Sequence, residues 1–373
     1  MRSLVDDLVG GVRAYAPSRF PYAKFGLALA IGIVGSLLFV WLKAPLPWLL
    51  GAMTTTTIAA LLGVRIAAPG VVRTPMLVVV GVMVGATFKP DIFTNFAAWW
   101  PTALVLLALV AVSALIGIYY LERFAGFDRP TAYFSGMPGG LIEMIVLAEE
   151  HRADLRAIAL VHSVRILVVV FTLPFLISLI EGVAVQTSSV PRPSMFETEF
   201  VEFMWLGATA VVGIVVGYLL RMPALYLLGP MLVSAAVHVA GFSEFTMPVE
   251  ILNFAQYVVG TTVGCRFVGV GSRTIFRIFV ISAGMSAALL AVTALFAWLA
   301  TFVSPYGFVP ILIAFAPGGL PEMSLVAIAI HIEVAFVVTH HILRLFVVMG
   351  GASAVYRILE KLRKPATSHG PSL

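Results

Sequence analysis

Two short segments set ionisable side chains beside a Pro-Gly-Gly: SGMPGGLIEM at 135–144 and AFAPGGLPEM at 314–323. Pro138 and Pro317 bring no amide hydrogen, and Gly139, Gly140, Gly318 and Gly319 permit bends and close approach. The residues after Gly140 and Gly319 are expected to start short helices. Their first amides then face the break and offer partial positive charge. Glu143 and Glu322 fall about three residues into these helices. A carboxylate there either caps its own helix or binds a proton, a cation or a substrate amine.

Downstream of each segment stands a His-x-x-Arg, His162 with Arg165 and His341 with Arg344. A spacing of i, i+3 puts each pair on one helix face. At ~1.5 Å per residue Arg165 lies about 12 Å into its span, where a charge costs at least ~2.5 kcal/mol. Glu143 and Glu322 are the expected partners, either locking helix to hairpin or sharing the arginine with a solute. With neutral histidines these four charges cancel, and protonating His162 or His341 would tip the site positive. That points to a proton-coupled carrier of an anionic or zwitterionic solute, although membrane histidines commonly serve as plain helix–helix hydrogen bonds. His340 faces Val161 in the first copy, a mark of divergence. No dense ligand motif accompanies His162, His340 and His341, so no metal, cofactor or catalytic residue is expected. Thr54, Thr55, Thr56 and Thr57 are expected to bond within their own helix rather than line a pathway, since the matching region, Leu232 to Ala235, keeps one hydroxyl.

The elements that must position these residues are membrane helices. Of 373 residues, 61% are hydrophobic and 11% charged, against about half and a quarter in soluble domains. The net charge of +5 comes from Lys and Arg at segment ends, as membrane insertion requires, and not from a nucleic-acid-binding run. Cys265 is the single cysteine, so no intramolecular disulfide or CxxC motif exists; a packing role is expected. Apolar runs long enough to span, or nearly so, are 25–42, 46–64, 74–88, 98–121 and 157–180, then 203–220, 224–241, 250–267, 276–303 and 335–356. Two further apolar stretches, 131–150 and 309–330, carry the Pro-Gly-Gly.

The halves are copies. Pro138-Gly139-Gly140-Leu141, Glu143-Met144, His162 and Arg165 recur 179 residues later, as do Gly81, Gly85 and Phe88; Pro45 and Leu49-Leu50-Gly51 recur after 178. Such duplication is typical of transporters. Five crossings per half, with the N-terminus inside, leave only Lys43, Lys89 and Arg192 outside. Six parallel crossings would expose Arg221, Arg266, Arg273 and Arg277 there, against the positive-inside rule. The expectation is an all-helical, polytopic protein of two inverted five-span repeats, about ten spans, with two broken or re-entrant Pro-Gly-Gly elements. Its parts are a cytoplasmic segment 1–24 (with an amphipathic helix or frayed tail at 2–15), repeats 25–180 and 201–356, a linker 181–200 and a cytoplasmic tail 357–373. Asp6 and Asp7 rule out a signal-peptide core.

PGGLIEM and APGGLPEM followed by HSVRILVVV and HHILRLFVVM give the chain its resemblance to the membrane AbrB duplication family, over roughly 25–356. The resemblance implies a multi-pass protein of the inner or plasma membrane, both termini cytoplasmic. Members carry labels of AbrB-like regulation of gene expression or ammonia monooxygenase. Neither label finds its DNA-binding segment or oxygenase metal site in these residues. The break is also similar to the interrupted helices of bile-acid-symporter and cation–proton-antiporter folds, by analogy alone. The expected function is secondary transport of a small polar solute across the lipid bilayer, without nucleic acid; a membrane regulator is the alternative, an enzyme the lesser one. Glycine-rich spans such as 207–217 suit packing within or between chains, which leaves a homo-oligomer open.

Overall fold

In the computed structural model, residues 10–11, 13–90, 92–181, 192–269, 272–330 and 332–363 are described. Most of the expected 2–15 helix, half of the linker and the end of the tail lie outside them. The apolar runs fold as helices because a bilayer core leaves backbone amides no other partner. The first half gives α1 (Tyr22–Trp41), α2 (Pro47–Leu61), α3 (Gly70–Gly85), α4 (Ile92–Tyr120), α5 (Arg129–Gly136), α6 (Leu141–Glu149) and α7 (Leu155–Glu181). The second gives α8 (Phe200–Leu219), α9 (Leu225–Val239), α10 (Val249–Gly264), α11 (Ser272–Ala300), α12 (Phe308–Phe315), α13 (Leu320–Ala329) and α14 (Val334–Arg363). Each helix of the second set starts 178–180 residues after its counterpart. Among the described residues there is no strand. Among the described residues six helices, α1, α4, α7, α8, α11 and α14, are long and apolar enough to cross a membrane.

The halves interleave. One group of helices combines α1–α3 with α8–α10, and the other combines α4–α7 with α11–α14. In the first group α3 crosses α9 and α10 crosses α2 with backbones in contact. A Cβ on Gly81 would strike the Leu227 carbonyl, and one on Gly260 the Leu49 carbonyl. The glycines shared by the halves are therefore required by space. The turn before α2 and the turn before α9 also match. Lys43, Leu46, Arg221 and Ala224 all take positive φ, a conformation costing ~1–2 kcal/mol each outside glycine.

In the second group each Pro-Gly-Gly stretch folds into two short helices that enter and return. The Asp154 amide, just beyond α6, donates to Thr131 Oγ1 in the first turn of α5 at 2.8 Å. Phe134 of α5 stacks on His151 after α6, and both meet Tyr356 of α14. At the second hairpin Tyr306, just ahead of α12, stacks on Phe336 in the first turn of α14 and accepts from Trp99 Nε1 of α4. Phe336 and Tyr356 are separated along α14 by about 30 Å at ~1.5 Å per residue. That is about the depth of a bilayer core, so the two hairpins have their bases at opposite ends of the molecule. Thr55, Thr56 and Thr57 bond to carbonyls of their own helix, as expected, and Thr55 also bonds Ile31 O of α1. Cys265 is free and buried.

Candidate functional site

At the first apex α5 ends at Gly136 and α6 begins after Gly140. The last carbonyls of a helix have no partner within it, and Pro138 has no amide to offer. Arg165 fills the gap: Nη1 donates to Met137 O at 2.9 Å and Nη2 to Gly139 O at 2.9 Å. Nη2 also lies 2.8 Å from His162 Nδ1. Arginine only donates, so Nδ1 accepts, and His162 Nε2–H donates to Phe134 O at 2.9 Å. The second apex repeats this. Arg344 donates to Ala316 O at 2.6 Å and Gly318 O at 2.8 Å, and to His341 Nδ1 at 2.9 Å. His341 Nε2 meets Ile313 O at 3.0 Å.

This corrects the expected pairing. Arg165 and Arg344 bind the backbone carbonyls on either side of each break proline, Met137 and Gly139 or Ala316 and Gly318, and not Glu143 or Glu322. The histidines are hydrogen-bonded in their neutral form and hold the arginines in place. The glutamates instead turn back on their own helices. Gly140 and Gly319 precede α6 and α13 with φ of −71° and −76°, extended values open to any residue. Their need for glycine is steric, because a Cβ would collide with the Glu143 or Glu322 carboxylate. Gly139 and Gly318 make room in the same way for Met144 and Met323.

Both apices line one cavity of about 350 Å³. Pro138, Gly139, Gly140, Glu143, Gly318, Gly319, Glu322, His341 and Arg344 reach it. His162 and Arg165 stand behind it, with Arg165 bonded to Gly139 O and within the field of Arg344, and Pro317 is outside its lining. Two further residues belong here, Arg73 of α3 and Arg266 just after α10. Charge counting assigned both to inner loops; the structure turns them into the cavity. Arg73 Nη2 bonds Glu322 Oε1 at 2.9 Å, with Glu322 fully buried. One sequence signal marked Arg73: a cation in the first turn of a helix opposes the macrodipole. Its counterpart is Leu252, so Glu143 has no equivalent of this ion pair. His340 serves elsewhere, 2.8 Å from Thr102 Oγ1.

Apolar helices of spanning length, arranged around paired broken hairpins that share one cavity carrying ionisable side chains, define a helical membrane protein. The chain belongs to the AbrB family: the family profile described as "Transition state regulatory protein AbrB" matches residues 48–360. It is similar to "Putative regulator AbrB" of Escherichia coli (strain K12), at 24% identity over 91% of this chain and 97% of that one. It is also similar to "Uncharacterized protein YhjN" of Bacillus subtilis (strain 168), at 28% identity over 76% of this chain and 77% of that one.

Proposed function

We propose that this chain is a secondary carrier of a small anionic or zwitterionic solute, and not an enzyme. In this reading α1–α4 and α7, then α8–α11 and α14, make ten crossings of the cell membrane as two inverted repeats with both termini cytoplasmic. The hairpins re-enter from opposite faces. The observation that carries the reading is the meeting of two Pro-Gly-Gly apices, based ~30 Å apart along α14, in one cavity. Irregular backbone at such depth is tolerated where it lines a cavity, and two helix N-termini facing one space make an anion site. Both nitrogens of His162 and His341 are engaged, so in this reading neither imidazole carries a coupled proton.

The test is a solute screen by thermal shift on purified wild-type protein and on Glu143→Gln, followed by uptake into proteoliposomes. A stabilising solute whose uptake falls at least tenfold in Glu143→Gln is the expected result. A library in which no solute stabilises the wild type would remove the carrier reading. The name of the Escherichia coli relative favours a second reading, a membrane-embedded regulator. That reading requires Glu143→Gln to alter transcript levels in cells while no solute is moved.

A further inference from the structure

We propose that the cavity binds a small organic monoanion, a carboxylate on a short apolar chain, with Arg266 and Arg73 as its headgroup ligands. The proposal rests on the carrier reading and names its solute class. Three arginines line the cavity, Arg73, Arg266 and Arg344, against two glutamates, Glu143 and Glu322. One positive charge is therefore left over. Arg344 is committed to the Ala316 and Gly318 carbonyls. Glu322 takes one nitrogen of Arg73, and both glutamates lie against the N-termini of their own helices.

Arg266 carries the surplus. It lies within electrostatic reach of Arg73 and Glu322, yet its buried Nη1 has no hydrogen-bond partner among the described residues, and neither has Arg73 Nε. A buried guanidinium N–H without an acceptor is costly. The acceptor matching its planar fork is an oxyanion bound through two parallel bonds. The remaining wall decides between a carboxylate and a phosphate. Leu77, Ile142, Ile166 and Leu345 give it an apolar character, and a single net charge suits a monoanion better than a dianionic phosphate. A volume of about 350 Å³ stands at the small end of ligand pockets, fit for a chain of roughly four to eight carbons.

The experiment measures binding by thermal shift and calorimetry on full-length protein in detergent, with hexanoate, its neutral isostere hexanamide, hexylamine and inorganic phosphate. Hexanoate alone is expected to stabilise the wild type. In Arg266→Gln its affinity should fall at least tenfold while the ligand-free Tm stays within a few degrees; Arg266→Lys, which keeps the charge and loses the fork, should fall in between. Equal effects of hexanamide or hexylamine, tighter binding of phosphate, no response to hexanoate, or unchanged affinity in Arg266→Gln would each overturn the proposal. Since binding is read without a membrane, selective hexanoate binding with no solute flux in proteoliposomes would remove the carrier reading and leave this assignment standing. Flux of a zwitterionic solute that hexanoate neither binds beside nor inhibits would do the reverse.

Discussion

Arg165 and Arg344 each reach two backbone carbonyls of the break, one on each side of its proline. The His-x-x-Arg spacing announced a functional face in the sequence, but the acceptors were illegible, because backbone carbonyls leave no trace in residue identity. A search for carboxylates therefore found the wrong partner. His341 sits between, accepting from Arg344 and donating to Ile313 O. Glutamine has one amide acceptor and one amide donor, so His341→Gln can keep both bonds. His341→Ala leaves a buried carbonyl and a guanidinium N–H unmatched, at about 1–3 kcal/mol each. His341→Gln is accordingly expected to keep solute binding within a few-fold of wild type, and His341→Ala to lower the Tm by several degrees and weaken binding. If His341→Gln instead erased the pH dependence of uptake while binding survived, the imidazole would be a proton carrier and not a brace.

At the scale of helices the sequence was far more informative. The ten expected apolar runs each correspond to a helix, and the repeated glycines revealed the duplication. What the sequence left open was whether 131–150 spans or returns. An apolar stretch of about 20 residues is long enough for either, and what the sequence hides is the meeting of distant residues, Thr131 with Asp154 and Tyr306 with Phe336, which folds each stretch into a hairpin. The use of Gly81, Gly85, Gly260 and Gly264 was hidden as well, because each faces a helix of the other half. Gly260 permits α10 to lie on the α2 backbone at Leu49, and an added Cβ would collide with that carbonyl. Close approach of this kind is how membrane helices gain packing energy without a hydrophobic drive. Gly260→Ala must push two helices apart and should cost at least ~2 kcal/mol, in the range of overpacked cores. Gly207→Ala, on α8 with open space around its Cα, gains helix propensity and should leave stability unchanged or slightly higher. Thermal unfolding and monodispersity on size exclusion compare the two; equal Tm values would show that the crossing tolerates a methyl group.

Over the whole molecule, two halves of matching helix order occupy unequal environments. Every residue of α13 after Leu320 is buried, whereas α6 buries only Met144 and Ala148. α13 packs on α3, and the Arg73–Glu322 ion pair fastens that contact. Leu252, which takes the place of Arg73 in the second half, is 4% exposed. A carrier of inverted repeats reaches its opposite state by exchanging the environments of its halves. Under the carrier reading the present cavity, which includes Arg73, Ala224 and Arg266, opens toward the cytoplasm, and the region around Leu252 should open to the outside in the other state. An ion pair made in one state alone biases the equilibrium by its differential free energy, and loss of a partner from a buried pair is worth ~3–5 kcal/mol. Glu322→Gln keeps the shape of the side chain and removes the charge, so it should shift the population away from the present state. In a Cys265→Ser background, Leu252→Cys should then react with an impermeant maleimide on intact cells several-fold faster when Glu322→Gln is also present. An unchanged rate would mean that the inequality of the halves is permanent and that Arg73 and Glu322 form a static brace; reaction only after lysis would place Leu252 on the inner face and invalidate the inverted arrangement from which the exchange is argued.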